Sequence, residues 1–104
     1  MADYQVTCVS KLHPEDSRED ITHIGNFAQG WNMTRDEAIR LIDSKLHQFY
    51  VVGPDRTTTS FLGVEREPGR NPYLRTHVAG VWNDDLFSRP QCPWLGRLLK
   101  IDDR

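Results

Sequence analysis

The sequence has no long apolar run and no excess of basic charge, and each absence excludes a class of protein. No segment approaches the ~20 consecutive apolar residues that a membrane-spanning helix needs. The opening residues MADYQVTCVSK also lack the basic region and the apolar run of a signal peptide. With 13 basic and 15 acidic residues, the net charge is -2, whereas duplex-binding domains usually carry a clear basic excess. These absences predict a cytoplasmic protein that does not contact a membrane.

Cysteine is equally scarce, and the motifs of common catalytic and metal sites are missing. Cys8 and Cys92 form neither a CxxC pair nor a disulfide-dense framework, so we interpret them as small buried hydrophobic residues. The glycines make neither a GxGxxG fingerprint nor a phosphate-binding loop, and no GxSxG marks a nucleophile. No HxH or HExxH spacing joins the four histidines, which are His13, His23, His47 and His77. The sequence therefore predicts no metal and no cofactor.

What the chain does have is the size and composition of one folded unit. Its 104 residues are 38% hydrophobic and 27% charged, which is typical of a soluble globular protein rather than a disordered one. We predict a single domain over residues 1–104. Residues 94–104 are a candidate tail appended to that domain, because they carry an apolar stripe of their own.

Hydrophobic periodicity predicts five strands and one helix. Period-two alternation indicates strands in YQVTCVS, QFYVVG, TTTSFLGVERE and YLRTHVAG, with a weaker one in ITHIGNF. The turn sequence GPDR predicts a hairpin between the second and third of these runs. In MTRDEAIRLIDSKLH, Thr34 and Glu37 have the spacing of a helix capping box, and Ala38, Leu41 and Ile42 recur on one face. The predicted order is therefore β-β-α-β-β-β.

This order, with its short turns, predicts an α+β fold. Short connections favour an antiparallel sheet, here of four to five strands, and the amphipathic helix needs one face of that sheet to lie on. After Gly80 the pattern becomes irregular, and Pro90 and Pro93 exclude regular structure between them. We therefore predict an irregular C-terminal tail in which Trp82 and Leu86 fold back over the sheet.

Several of these motifs resemble those of a known family. The helix segment TRDEAIRLIDSKLHQFYVV, the strand YLRT and the later DDLFSRPQC are similar to a small, mostly bacterial family catalogued as domain of unknown function 3892, over about residues 21–92. Its members show an EAI helix, a YLRT strand and an ending close to DNLxxLPxC. The chain departs from that pattern at Val78, Ala79, Asp85 and Arg89. The resemblance implies the same fold order and a compact unit, and it implies no reaction.

One cluster of polar residues near the C-terminus is the candidate for chemistry. Arg75, His77, Asp84 and Asp85 could form an acid–base or oxyanion-binding group. A histidine held by a carboxylate titrates near neutrality, and an arginine fork grips oxyanions. Alternatively, Arg75 pairs with Asp84 or Asp85 and pins the returning chain across the sheet. We favour the structural interpretation and predict no catalytic residue, because the cluster lacks the spacing of a recognised catalytic motif.

Binding to another protein is the function that the sequence favours. Trp94 and Leu98 in the tail join the polar cluster as predicted binding residues, because large apolar side chains dominate protein interfaces. The tail is predicted to contact a partner protein or a second copy of the chain. A regulatory role, as in small phage or mobile-element proteins, is an expectation from size alone.

Two other functions stay open. One is a small enzyme or oxyanion-binding accessory that uses Arg75, His77, Asp84 and Asp85. The other is single-stranded nucleic-acid binding over an exposed sheet face, through Tyr50, Tyr73 and nearby arginines. The negative net charge disfavours nucleic acid as the partner.

Overall fold

A computed structural model describes residues 2–11, 17 and 20–93 of the chain. These residues form one helix, α1 (Arg35–Asp43), and eight strands: β1 (Ala2–Gln5), β2 (Cys8–Lys11), β3 (Ile21–Asn26), β4 (Trp31–Thr34), β5 (His47–Val52), β6 (Thr59–Glu65), β7 (Tyr73–Val78) and β8 (Val81–Asn83). Within the described part of the chain, no helix combines the length and the apolar character needed to cross a membrane.

The strands form two sheets, and a short bent segment at Val6 and Thr7 connects the first strand of one sheet to the first strand of the other. The order in the five-stranded sheet is β1-β5-β6-β7-β8, and β2-β3-β4 form a three-stranded sheet. β1 runs parallel to β5, whereas the other neighbouring strands are antiparallel. Between β1 and β2, the Val6 N–H donates to the Tyr50 carbonyl at 2.8 Å and the Thr7 N–H donates to the Gly25 carbonyl at 2.9 Å. The chain thus passes from one sheet to the other while it keeps a backbone hydrogen bond to each.

Helix α1 packs against the inner side of both sheets. Its N-terminus is capped by Thr34, whose Oγ1 accepts from the Glu37 N–H at 3.2 Å, as predicted. Ala38 and Leu41 are buried in the same core cluster as Phe49 of β5. A helix of nine residues is marginal in isolation, so this apolar contact, rather than helix propensity, supplies most of its stability.

Two hairpins of the five-stranded sheet, β5–β6 and β7–β8, have turns with distinct local structure. The β5–β6 loop turns around Asp55, whose Oδ1 accepts from the N–H groups of Thr57 and Thr58 at 3.0 and 2.9 Å. The hydrogen bond from the Thr58 hydroxyl, together with those two N–H groups, holds the pKa of Asp55 well below its usual range. β7 and β8 are joined by Ala79 and Gly80, with φ of 51° and 81°. A two-residue turn with both central residues at positive φ has a backbone twist that matches the right-handed twist of the two flanking strands.

Residues 84–92, which we call the C-terminal strap, run from the end of β8 to β2. Leu86 is 2% exposed and lies in the core. Further along, the Val9 N–H donates to the Pro90 carbonyl at 3.0 Å, and the Cys92 N–H donates to the Val9 carbonyl at 2.9 Å. A disulfide joins Cys92 to Cys8, at a sequence separation of 84. The strap therefore ties the edge of one sheet to the edge of the other.

The interpretation of Cys8 and Cys92 as simple hydrophobic residues is corrected by this bond. Both are buried, at 4% and 2% exposure, but they are also bonded to each other. No local spacing motif announces a disulfide between residues so distant in sequence. The pairing arises because the strap lies directly beside β2.

The predicted α+β class, with one helix packed on a sheet, is confirmed. The structure adds β4 and β8, and it divides the first predicted strand into β1 and β2. It also distributes the strands over two sheets, of which the larger is mixed because β1 pairs with β5 in parallel. The irregular region predicted after Gly80 begins only at Asp84.

Candidate functional site

A row of aromatic side chains crosses the outer face of the five-stranded sheet. Tyr50 is the direct cross-strand partner of Phe61, Phe61 of His77, and His77 of Trp82. We call these four residues the aromatic row. Because side chains alternate along a strand, the row lies on the face opposite the buried Val51. It runs across four adjacent strands, from β5 to β8.

Trp82 reaches over the sheet and fills the space above Gly63. A Cβ built on Gly63 would lie 3.2 and 3.3 Å from Cη2 and Cζ3 of Trp82, and 3.1 Å from Cδ2 of His77. The Trp82 ring also meets the His77 ring edge-on, with 5.7 Å between centroids. The guanidinium carbon of Arg75 lies 5.9 Å from the centroid of the Trp82 ring. The indole is thus supported by three neighbours and still remains 38% exposed.

A row of charged side chains runs beside the aromatic row. Arg75 Nη1 lies 3.1 Å from Oε1 of Glu65, and its Nε lies 3.5 Å from Oδ1 of Asp84. The side chains of Arg75 and Glu65 are 19% and 15% exposed, whereas that of Asp84 is 52% exposed. Of the two aspartates predicted as partners of Arg75, Asp84 is the one that pairs with it.

Tyr73 extends this charged row, and its hydroxyl lies between two carboxylates. It donates to Glu65, and its oxygen lies 2.9 Å from Oε1 of Glu67. The hydrogen bond to Glu65, followed by burial, raises the pKa of Tyr73 well above its usual 10.0. Because Tyr73 is only 3% exposed, its ring is not available to stack on a nucleobase. Of the two tyrosines that the nucleic-acid hypothesis uses for stacking, only Tyr50 is therefore still a candidate.

The raised pKa of Tyr73 predicts a loss of stability at alkaline pH. A phenol that holds its proton more tightly in the folded chain contributes fully below 10.0, and this contribution is lost as the pH rises toward the folded pKa. We expect the unfolding free energy of the wild type to fall more steeply between about pH 10 and 12 than that of Tyr73→Phe. Urea unfolding at each pH measures both slopes, and equal slopes would contradict the assignment.

The two adjacent aspartates point to opposite sides of the sheet. Asp84 lies with Arg75 on the outer face, but Asp85 accepts from the fully buried Ser60 hydroxyl at 2.7 Å. Asn83 donates to the same hydroxyl at 3.0 Å. Asp85 therefore belongs to a buried polar network that fixes the start of the strap.

The four residues proposed for chemistry are consequently not gathered in one pocket. Arg75 and Asp84 are together, His77 lies beside them against Trp82, and Asp85 is turned away. Among the described residues, His77 Nδ1 is buried and has no hydrogen-bond partner. In the same part of the chain, no three His, Cys, Asp or Glu side chains are grouped to hold a metal ion.

Two clefts lie at the N-terminal end of α1, away from this cluster. The smaller has a volume of about 110 Å³ and is lined by Thr22, Thr34, Arg35 and Asp36. The larger, of about 370 Å³, extends from Arg35 along the helix to Asn71 and Pro72. Arg35 and Arg40 at these clefts are paired with Asp36 and Glu37, so their charge is already compensated within the helix.

Phe61 and Gly63 are parts of this surface that the sequence does not predict. The only available signal was the alternation in TTTSFLGVERE, which places both residues on the same face as Glu65. The predicted binding residues Trp94 and Leu98 lie outside the described residues.

Comparison with known proteins gives a family and no function. The family model described as "Protein of unknown function (DUF3892)" matches residues 5–90, which is most of the chain, and the chain belongs to that family. No curated protein and no solved structure matches the chain.

Proposed function

We propose that this member of the DUF3892 family is a small non-enzymatic module that binds another protein through the outer face of β6, β7 and β8. The observation that carries the proposal is the distribution of exposed apolar side chains. Of the six large hydrophobic side chains that are exposed in the described residues, Phe61 and Trp82 lie on this face, at 36% and 38% exposure. Val78 and Val81 are exposed on the opposite face of the same sheet, at the tip of the β7–β8 hairpin.

The arrangement of these residues supports a protein partner. Single exposed hydrophobic residues are ordinary, but a contiguous group marks an interaction surface. Trp82 and Tyr50 are of the residue types that contribute most to binding energy in protein interfaces. Val78 and Val81 pair directly across the β7–β8 hairpin, but their side chains point to the face opposite Trp82, so the aromatic row alone forms the surface.

The polar cluster beside this surface supports a binding role rather than catalysis. Arg75 is engaged by two carboxylates, and Asp85 completes a buried network with Ser60. Groups that hold the strap and the sheet together in this way are not poised to exchange protons with a substrate. The enzyme alternative would need Arg75, His77, Asp84 and Asp85 to converge on one pocket, and Asp85 is instead bonded to the buried Ser60.

The cytoplasmic location predicted from the sequence stays a prediction. The Cys8–Cys92 disulfide weighs against it, because cytosolic proteins usually keep their thiols reduced. A regulatory role is compatible with a protein-binding module and rests on chain size alone.

Photo-crosslinking in the native cell tests the proposed surface directly. We expect benzoylphenylalanine at position 82 to give a discrete adduct with a protein, and the same residue in place of Phe27 to give none, because Phe27 is 61% exposed but lies in the β3–β4 turn. With the purified partner, Trp82→Ala should weaken binding by about tenfold or more, whereas Phe27→Ala changes it less than about twofold.

The same crosslinking experiment also tests the tail (residues 94–104) as an interface. The predicted contact through Trp94 is examined by placing the crosslinker at position 94. An adduct from position 94 without one from position 82 would reject the outer face as the interface. An adduct between two copies of the chain would identify the partner as the chain itself.

A further inference from the structure

We propose that the tail, residues 94–104, packs across the back face of the three-stranded sheet and shields the Cys8–Cys92 disulfide from reductants. The back face is the side of β2, β3 and β4 that is turned away from the core. Trp94 and Leu98 would then contact their own chain rather than a partner. This contact lies within one molecule, so it does not depend on the protein partner proposed for the aromatic row.

The back face carries a row of buried residues. On the core side, the sheet holds three cross-strand neighbours: Val9, Ile24 and Met33. Because side chains alternate along a strand, Cys8, Gly25 and Asn32 form the adjacent row on the back face. All three are buried, with Cys8 at 4% and Asn32 at 3% exposure. A sheet face that meets only solvent leaves its side chains accessible, so this row has a cover.

The pattern of burial on the back face indicates from which side the cover comes. Two stretches of chain adjoin the sheet beyond its described residues, namely the β2–β3 connection and the tail. The row nearer to the β2–β3 connection is only half-buried, and it consists of Ser10, His23 and Thr34. Burial therefore increases away from that connection and toward Cys8, where Cys92 is bonded. This direction favours the tail as the cover.

The strap ends where such a cover must begin. The Cys92 N–H donates to a carbonyl of β2 at 2.9 Å, and the Cys92 sulfur is bonded to Cys8 on the back face. Trp94 follows two residues later, which is ~7 Å of extended chain, and Gly25 lies about 5 Å beyond Cys8 on the next strand. The tail would span ~16 Å even as a helix, whereas β2 and β4 are only about 10 Å apart.

The residue types of the tail fit this face. The tail begins with a group of large apolar residues, which are Trp94, Leu95, Leu98 and Leu99. Gly25 has no side chain, so a ring can lie directly on the backbone there, as the Trp82 indole does above Gly63 on the other sheet. Trp94 is the first aromatic residue after Cys92. We therefore assign its ring to the position above Gly25.

A cover in this position also closes off the disulfide. Cys8 lies in the buried row itself, and Cys92 is 2% exposed. Thiol–disulfide exchange requires that an attacking thiolate reaches one of the two sulfurs. Reduction of the folded chain must therefore wait until the tail lifts from the back face or the sheet opens locally.

Photo-crosslinking of the purified full chain tests the contact. Benzoylphenylalanine at position 94 replaces one aromatic side chain with another. We expect illumination at low protein concentration to join it to a peptide from β3 or β4 of the same molecule. A mixture of ¹⁵N-labelled and unlabelled chains identifies products between two copies, because only those join a labelled peptide to an unlabelled one. Products that join two copies, or that never involve β2, β3 or β4, would overturn the proposal.

Reduction by dithiothreitol in native buffer tests the shielding. A chain that ends at Pro93 should lose its disulfide about tenfold faster than the full chain, and Trp94→Ala at least about threefold faster. Leu46→Ala is the matched control, because it shortens an exposed leucine after α1, and it should change the rate by less than about twofold. Iodoacetamide traps the freed thiols, and mass spectrometry counts them at each time point.

The full-length variants keep the test decisive when the shortened chain does not fold. Near-ultraviolet circular dichroism of each oxidised variant reports whether its fold is retained, and Trp94→Ala is then compared with Leu46→Ala alone. Equal rates for the full chain and for the tail variants would overturn the shielding. An adduct with a protein from position 82 tests the aromatic row separately, so either proposal can fail without the other.

Discussion

Replacing Cys92 with serine is expected to lower the free energy of unfolding by about 2–5 kcal/mol. The Cys8–Cys92 bond closes a loop with a sequence separation of 84, and a long closed loop restricts the unfolded chain more than a short one. For a chain of this size, the corresponding decrease in Tm is roughly 10 °C or more. Guanidinium unfolding of the wild type and the variant, at equal temperature and pH, measures the difference.

The controls isolate the bond from the side chain. Cys8→Ser, and the wild type in the presence of a reductant, should lose about as much stability as Cys92→Ser. The double variant should cost little more than either single variant, because all of them remove the same covalent link. Coincident unfolding curves for oxidised and reduced wild type would show that the bond does not stabilise the fold. Thiol titration of the denatured chain reports independently whether the bond is present.

The position of this disulfide explains what the C-terminal motif does. In DDLFSRPQC, Asp85 accepts from Ser60, Leu86 enters the core, and Cys92 bonds to Cys8. Arg89 donates to the carbonyl of Val52 at 3.3 Å, which fixes the middle of the strap. The motif is therefore a set of attachment points for the strap, and none of these contacts needs a ligand.

The helix and the central hairpin could be predicted because their signals are local. Thr34 and Glu37 mark the start of α1, and the alternation in TTTSFLGVERE gives β6 directly. The pairing of β1 with β5 could not be predicted, because it joins residues more than forty positions apart and no turn sequence connects them. Local patterns determine elements, whereas distant pairings depend on the packing of the whole core.

β8 was missed for a different reason. Its turn uses Ala79 at a positive φ of 51°, whereas Asn or Asp at that position would have given the sequence signal of a two-residue hairpin. Without that signal, the sequence predicts that Trp82 lies in an irregular tail, whereas the structure places it in β8. The sequence therefore does not predict the aromatic row, because Phe61 and Trp82 both pair with His77 only when β8 is present beside β7.

In the polar cluster, the sequence predicts the types of the side chains but not the direction in which each one points. Asp84 and Asp85 look equivalent in the sequence, and either could have paired with Arg75. The end of β8 places them on different sides of the sheet, so that Asp84 pairs with Arg75 and Asp85 with Ser60. A sequence gives the chemical types in such a cluster, but the direction of each side chain depends on where the strand stops.

Leu86→Ala is expected to cost about 2–5 kcal/mol of unfolding free energy, because it opens a cavity where the strap enters the core. Leu86 is 2% exposed and belongs to the cluster that contains Leu41 and Phe49. Its N–H also donates to the Thr76 hydroxyl at 3.2 Å, and this backbone bond can survive the substitution. The cost should therefore arise from lost packing rather than from an unpaired polar group.

Leu46→Ala is the matched control, since it makes the same chemical change at a leucine that is 46% exposed. It should change the unfolding free energy by less than about 0.5 kcal/mol.

Leu86 and the Cys8–Cys92 disulfide anchor the same short segment, so the losses of unfolding free energy caused by Leu86→Ala and by reduction should not add. In the reduced protein the strap is held less firmly, and the cavity left by Leu86→Ala can collapse further, which should make the substitution less costly than in the oxidised protein. Equal costs in the two states would show that the strap is anchored at Leu86 and at Cys92 independently.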